Sequence, residues 1–163
     1  MSRKFTPNLW FDGNAEEAAD FYCSVFPNSH VVGKSHYTES SPGETGAVMT
    51  VDFELDGQRF TGINGGPQFK FSEAISFLIN CSDQEEVDHY WDKLVEGGGE
   101  TGPCGWLKDR FGVSWQVVPE GMEEVFAEGD EERTDRVMKA MLQMTKLDVA
   151  ELRRAADGET ANA

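Results

Sequence analysis

Two nine-residue segments decide the fold of this chain, and they read NAEEAADFY at residues 14–22 and DQEEVDHYW at residues 83–91. Each begins with a residue suited to a helix N-cap and places two glutamates two and three positions later. Each also carries an aromatic pair seven and eight positions after the cap, and each follows a short apolar stretch. The shared pattern, offset by 69 residues, predicts a duplicated strand–helix unit.

Segments with strand character follow each predicted helix, at residues 29–38, 47–55, 58–64, 106–109 and 113–118. Residues 47–55 alternate apolar and polar side chains, and Asp56-Gly57 is a two-residue hairpin signal. The strand expected within residues 99–105 is weakened by a glycine and a proline. The order of one strand, one helix and three strands, found twice, favours antiparallel hairpins over a doubly wound parallel sheet.

The chain from Pro119 onward has helical character and no strand pattern. Apolar side chains recur there at helical spacing in three groups, which are Met122, Val125 and Phe126, then Val137, Met138, Met141 and Leu142, then Val149, Leu152 and Ala156. This spacing favours core or dimer packing of the methionines over a ligand-binding surface.

The charge balance excludes two classes of partner. The 163 residues include 30 Asp and Glu against 14 Lys and Arg, which gives a formal net charge of −16. Such a charge repels phosphate backbones and anionic lipid headgroups, so we expect neither a nucleic-acid nor a membrane partner. No apolar run approaches the roughly 18 residues of a membrane span, and residues 1–5 lack a signal-peptide stretch. We therefore expect a cytoplasmic protein.

The histidine and cysteine positions predict no metal site. His30 and His36 lie six residues apart on one predicted strand, which separates them by roughly 20 Å, and His89 falls on the polar side of the second helix. The three cysteines are too scattered for a zinc site or a disulfide framework. No histidine lies near an obvious nucleophile, so a catalytic triad is not predicted either.

Two glycine-rich segments, residues 62–67 and 97–102, are interpreted as turns. A phosphate-binding loop of the Rossmann or P-loop type runs from a strand into a helix. The second segment instead runs from a helix into a strand, and the first has no helix after it. A Rossmann-type nucleotide or S-adenosylmethionine site is therefore not expected.

The segment CGWLKDRFGVSWQVVP at residues 104–119 combines two tryptophans and a strand glutamine in one hairpin. Asp109 and Gly112 are predicted to form its turn. Trp106, Trp115 and Gln116 fit two interpretations equally, as structural side chains or as the lining of a small-molecule pocket.

This hairpin, the segment GNAEEA at residues 13–18 and the segment VMKAMLQMTKLD at residues 137–148 together resemble one known group. They are similar to PhnB-like proteins, often labelled 3-demethylubiquinone-9 3-methyltransferase, of the vicinal oxygen chelate superfamily. That superfamily includes glyoxalase I, bleomycin-resistance proteins and extradiol dioxygenases.

The resemblance implies an α+β fold in which two βαβββ modules form a cupped mixed β-sheet, usually in a homodimer. The modules are then expected at residues 1–66 and 67–119, with a C-terminal helical extension at residues 120–163 and one structural domain overall.

The resemblance also implies four strand positions that hold His, Gln or Glu ligands in metal-using members. The first falls at Pro7, the second near residues 62–64, the third near Ser76 and the fourth at Gln116. Only Gln116 is an acceptable ligand type, and one amide cannot hold a divalent ion. We therefore expect no metal and no other cofactor.

These observations lead to a functional hypothesis. We expect a metal-free protein that binds a small molecule in the sheet cup, with a pocket lined by Trp10, Asn64, Ser76, Trp106, Trp115 and Gln116. The alternative is an enzyme of the superfamily, either a metal-dependent lyase or dioxygenase or the labelled methyltransferase. A third hypothesis makes the homodimer itself the functional unit, with the methionine-rich C-terminal helices at its interface.

Overall fold

The computed structural model describes residues 4–126 and 129–159. The chain forms two compact units, of which the first ends at Phe71 and the second begins at Ser72. Each unit contains a four-stranded mixed sheet and a helix, and the second also contains the C-terminal helices. The predicted α+β class with two βαβββ modules is confirmed, whereas the boundaries after residues 66 and 119 stay predictions.

The first unit has the element order that its sequence predicts. It contains β1 (Asn8–Phe11), α1 (Ala15–Val25), β2 (His30–His36), β3 (Val48–Leu55) and β4 (Gln58–Asn64). In the sheet order β1-β4-β3-β2, β1 is parallel to β4 and the other pairs are antiparallel. Asp56 and Gly57 have φ angles of 43° and 78°, which is the left-handed pair that a type I′ hairpin requires.

The core of the first unit lies between α1 and one face of its sheet. Val51, Phe53 and Leu55 alternate along β3 and are buried, together with Tyr22 of α1. The Tyr22 and Phe53 rings stack with their centroids 6.1 Å apart. Because side chains alternate along a strand, Trp10 lies on the opposite face of the sheet, beside its register partner Ile63.

The second unit repeats this topology. It contains β5 (Ser76–Cys81), α2 (Gln84–Val95), β6 (Glu100–Thr101), β7 (Trp106–Lys108) and β8 (Ser114–Pro119), in the sheet order β5-β8-β7-β6. β5 is parallel to β8, as β1 is to β4. The weak strand predicted within residues 99–105 is β6, which has only two residues. The glycines at residues 97–99 connect α2 to β6, as the interpretation as a turn predicts.

The two repeated helices begin differently despite their similar sequences. At α2, Asp83 Oδ1 accepts a hydrogen bond from the Glu86 N–H at 2.9 Å, and Glu86 Oε2 accepts one from the Ser82 N–H at 2.8 Å. The predicted side-chain cap by Asn14 is wrong, because this side chain makes no capping hydrogen bond within the described residues. The Ala15 N–H instead donates to Asn64 Oδ1 at 2.9 Å.

The C-terminal helices are α3 (Met122–Val125), α4 (Glu131–Met141) and α5 (Val149–Asp157). They enclose a small core formed by Val118, Met122, Val137, Leu147, Leu152 and Ala156. Met138 and Leu142 remain 41% and 59% exposed, and the homodimer expected from the sequence stays a prediction. Within the described ranges, no helix has the length and apolar character that crossing a membrane requires.

Candidate functional site

The second unit contains a pocket of about 430 Å³. Its walls come from Glu73, β6, β7, the start of β8, and Gly102 and Pro103 of the loop of residues 102–105. The side chains that determine its chemistry are Glu73, Glu100, Trp106, Lys108 and Ser114. Of these, Trp106 is half-buried and supplies the aromatic ring.

Ser114 gives this pocket an unused hydrogen-bonding group. The residue is only 1% exposed, and its Oγ finds no hydrogen-bond partner among the described residues. A buried polar group left in this state costs about 1–3 kcal/mol. A bound molecule with a donor or acceptor at the correct place would recover that free energy.

Lys108 and Glu73 form an ion pair beside the same pocket, with Lys108 Nζ 2.5 Å from Glu73 Oε1. The hydrogen bond from Lys108 lowers the pKa of Glu73, and the same bond raises the pKa of Lys108. Both side chains are therefore charged near neutral pH. With Glu100, the pocket has two carboxylates and one ammonium group.

Ser76 and Gln116 lie on the face of the sheet that also carries Ser114 and Trp106. Gln116 Nε2 donates to Ser76 Oγ at 2.9 Å. Ser76 is the register partner of Ser114, and Gln116 is the register partner of Trp106. The structure thus brings together three of the predicted pocket residues, and it adds Ser114. Strand alternation would have found Ser114, because it precedes Gln116 by two positions.

Trp115 lies on the opposite face and is 3% exposed. Its Nε1 donates to Asp109 Oδ2 at 2.9 Å, while Asp109 Oδ1 accepts from the N–H groups of Phe111 and Val113 at 2.9 and 3.0 Å. Asp109 therefore organises the hairpin turn, as its sequence position predicts. Gly112 completes the turn with a φ of 91°. Trp115 packs away from the face that carries Trp106.

Trp10 and Asn64 line a different pocket, of about 590 Å³, within the first unit. Trp10 Nε1 donates to the Gly66 carbonyl at 2.9 Å, and Tyr37 Oη donates to the Asn64 carbonyl at 2.5 Å. The Asn64 amide accepts from Ala15 and donates to the Val48 carbonyl at 3.1 Å. The polar side-chain atoms of Trp10, Tyr37 and Asn64 are thus used in holding the walls of this pocket.

The family resemblance implies four metal-ligand positions, of which three fall at Pro7, Ser76 and Gln116 and the second falls near residues 62–64 without a fixed residue. Pro7 offers only a carbonyl, which accepts from the Thr61 N–H. The Asn64 amide caps α1, and the Ser76 hydroxyl accepts from Gln116. Among residues 4–126 and 129–159, no three His, Cys, Asp or Glu side chains group so that they could hold a metal ion. Hydroxyl and amide donors alone do not fit a divalent transition metal.

Comparison with known proteins gives a consistent family. The family described as 3-demethylubiquinone-9 3-methyltransferase matches residues 3–118. A PhnB protein from Bacillus cereus, which carries the same methyltransferase description, is 37% identical over 72% of this chain and 99% of its own, with a TM-score of 0.63. No curated protein matches this chain.

Two more distant structures share the fold. Protein PA1353 from Pseudomonas aeruginosa is 21% identical over 73% of this chain and 98% of its own, with a TM-score of 0.60. The fosfomycin resistance protein FosX from Listeria monocytogenes, in complex with Mn(II) and sulfate, is 17% identical over 76% and 94%, with a TM-score of 0.52. The chain therefore belongs to the PhnB-like 3-demethylubiquinone-9 3-methyltransferase family, within the vicinal oxygen chelate superfamily.

Proposed function

We propose that this protein binds a small, neutral, planar molecule in the pocket of its second unit, without a divalent metal. The observation that carries the proposal is the Ser114 hydroxyl, which is buried and without a hydrogen-bond partner among the described residues. Most buried polar groups in proteins have such a partner. A ligand that presents one polar atom to Ser114 would supply it.

The charges and the aromatic ring of the pocket define the ligand class. Trp106 offers a surface on which a flat molecule can stack. Glu73 and Glu100 outnumber Lys108, so an anionic ligand would meet a net repulsion. A neutral ring with an amide or a similar polar group at its edge can stack on Trp106 and form a hydrogen bond with Ser114 at the same time.

We expect no bound metal, because the positions that the family resemblance implies for metal ligands carry poor donor atoms in this chain. FosX is complexed with Mn(II), whereas Pro7, Ser76 and Gln116 of this chain provide a carbonyl, a hydroxyl and an amide. We expect elemental analysis of the purified protein to find no stoichiometric manganese, nickel or zinc. A bound metal at one equivalent per chain would contradict this part of the proposal.

Titration with three probes, followed by NMR of the backbone amides, tests the ligand class. We expect nicotinamide, a planar neutral amide, to shift the signals of Trp106 and Ser114. Benzoate should bind more weakly because it is anionic, and cyclohexanecarboxamide because it is not planar. Ser114→Ala should weaken nicotinamide binding about three- to tenfold, the effect of one buried hydrogen bond.

Ser24→Ala is the matched control, since this exposed serine lies on α1 and donates to the Phe21 carbonyl. It should leave the affinity unchanged. The proposal fails if none of the three probes shifts the pocket signals, or if Ser114→Ala binds nicotinamide as tightly as the unmodified chain does.

The family description favours a second candidate, a methyl transfer to a demethylubiquinone. Calorimetry with S-adenosylmethionine distinguishes it from the first. We expect no binding, because the glycines at residues 97–99 connect a helix to a strand, the reverse of the order in a Rossmann-type cofactor site. Micromolar binding that Ser114→Ala weakens would favour the transferase.

A further inference from the structure

The connection between α4 and α5, residues 142–148, lies against the loop of residues 102–105 that forms one wall of the second-unit pocket. We call residues 142–148 the strap. The Cys104 N–H donates to the Met144 carbonyl at 2.9 Å, and the Gly105 N–H donates to the Thr145 carbonyl at 2.8 Å. Two consecutive amides of the pocket loop therefore depend on the strap.

The loop backbone is unfavourable at Cys104, one of the two residues that the strap holds. Cys104 and Gly105 have φ angles of 56° and 80°, and a non-glycine residue such as Cys104 rarely adopts this region. A Cβ on Gly105 would lie 2.8 Å from the Val117 carbonyl and 3.0 Å from Leu147 Cδ1. The loop thus needs external hydrogen bonds and close packing to keep its shape.

The strap is itself fixed by α2. Gln84 Nε2 donates to the Leu147 carbonyl at 3.2 Å, and Gln84 Oε1 accepts from the Val149 N–H at 2.8 Å. Lys146 Nζ lies 3.1 Å from Asp88 Oδ1 and 3.0 Å from Asp92 Oδ1. The Leu147 side chain is fully buried. Gln84 therefore bonds both to Leu147 of the strap and to Val149, the first residue of α5, and Lys146 adds two ion pairs.

The loop transmits this restraint to the pocket. Gly102 and Pro103 line the pocket directly. The Gly102 N–H donates to the Trp106 carbonyl at 2.8 Å, and the Trp106 N–H donates to the Pro103 carbonyl at 3.1 Å. The aromatic ring proposed to stack on the ligand thus directly follows the two loop residues, Cys104 and Gly105, that the strap holds.

We propose that the strap positions the wall of the second-unit pocket, with Gln84 as the positioning residue that holds the strap in place. The inference deepens the proposed function and rests on it for the identity of the site. The region matched by the family ends at residue 118, so the strap lies beyond the match, whereas Gln84 lies within it. Because Gln84 lines neither the pocket nor its rim, its effect must act through the strap.

Amide hydrogen exchange measured by NMR on the ligand-free full chain tests the positioning role. In Gln84→Ala we expect the Cys104 and Gly105 amides to exchange at least fivefold faster, because the carbonyls that accept from them are no longer held. Glu85→Ala, on the neighbouring exposed position of α2, is the matched control and should leave these rates unchanged. Nicotinamide affinity should fall in Gln84→Ala and not in Glu85→Ala.

Lys146→Ala gives a second route to the same measurement if Gln84→Ala does not fold. It removes both ion pairs of the strap and should also accelerate exchange at Cys104 and Gly105. Unchanged exchange at these two amides in both variants overturns the proposal. Faster exchange in a protein that binds no probe supports the positioning role while the proposed function itself fails, so the two failures are distinguishable.

Discussion

The pockets of the two units differ in what their polar groups do, although the units share one topology. In the first, Trp10, Tyr37 and Asn64 give their polar atoms to the backbone of their own unit. In the second, the Ser114 hydroxyl is buried without a partner among the described residues. A satisfied network stabilises the fold, whereas an unsatisfied group lowers stability until a ligand binds. The duplicated scaffold therefore has one pocket whose Trp10, Tyr37 and Asn64 stabilise the fold, and a second pocket that we propose as the ligand-binding site.

The largest expected effect concerns the hydrogen bonds of Asp109, which form a satisfied polar network in the second unit outside its pocket. Asp109→Ala removes the acceptor of three hydrogen bonds and should lower the free energy of unfolding by about 3 kcal/mol. Thermal denaturation measures this loss. Asp12→Ala, at an exposed position, should change stability by less than about 0.5 kcal/mol. Equal effects of the two substitutions would contradict the role of Asp109.

The first-unit network predicts the next largest effect. Asn64→Ala removes the acceptor for the Ala15 N–H and the donor to the Val48 carbonyl, which should cost about 2 kcal/mol of stability in a denaturant titration. Asn14→Ala is the control, because Asn14 makes no side-chain cap in the described structure, and should cost less than about 0.5 kcal/mol. A larger loss of stability in Asn14→Ala would support the Asn14 cap that the sequence predicts.

Two serines on neighbouring strands should respond with opposite signs. Ser114→Ala removes a buried hydroxyl with no partner in the described chain, so we expect a gain of about 1 kcal/mol and a rise in Tm of about 3 °C. Ser76→Ala removes the acceptor of the Gln116 hydrogen bond and should cost about 0.5–1 kcal/mol. Scanning calorimetry of both variants decides the matter, and a destabilised Ser114→Ala would show that its hydroxyl is already satisfied.

The smallest effect concerns the ion pair beside the second pocket. The hydrogen bond from Lys108 lowers the pKa of Glu73. The stabilisation of the folded state by this ion pair is therefore complete at pH values above the ordinary glutamate pKa. It is lost as the pH falls through the lower pKa of the folded state. In Lys108→Met we expect the Glu73 pKa to rise toward its ordinary value, as measured by NMR of the side-chain carboxyl carbon. If the Glu73 pKa is unchanged in this variant, Lys108 is not what lowers it.

Local signals predicted most of the fold. The Asp83 cap, the Asp56-Gly57 hairpin and the alternation along β3 each act within a few residues, so the duplicated topology could be found from the sequence. The capping of α1 by Asn64 could not be predicted from the sequence, because 49 residues separate Asn64 from Ala15. That the Ser114 hydroxyl has no partner among the described residues could not be predicted either, since whether a hydroxyl is satisfied depends on every atom around it in the folded chain.

In each unit, the first strand pairs in parallel with the last strand of the same unit, β1 with β4 and β5 with β8. During synthesis the first strand leaves the ribosome long before its partner exists. The antiparallel β3–β4 hairpin can form early from local contacts, but β1 must wait for a non-local pairing. We therefore expect each unit to complete its sheet late in folding, and β1 and β5 to be open to wrong pairing in a nascent chain until then.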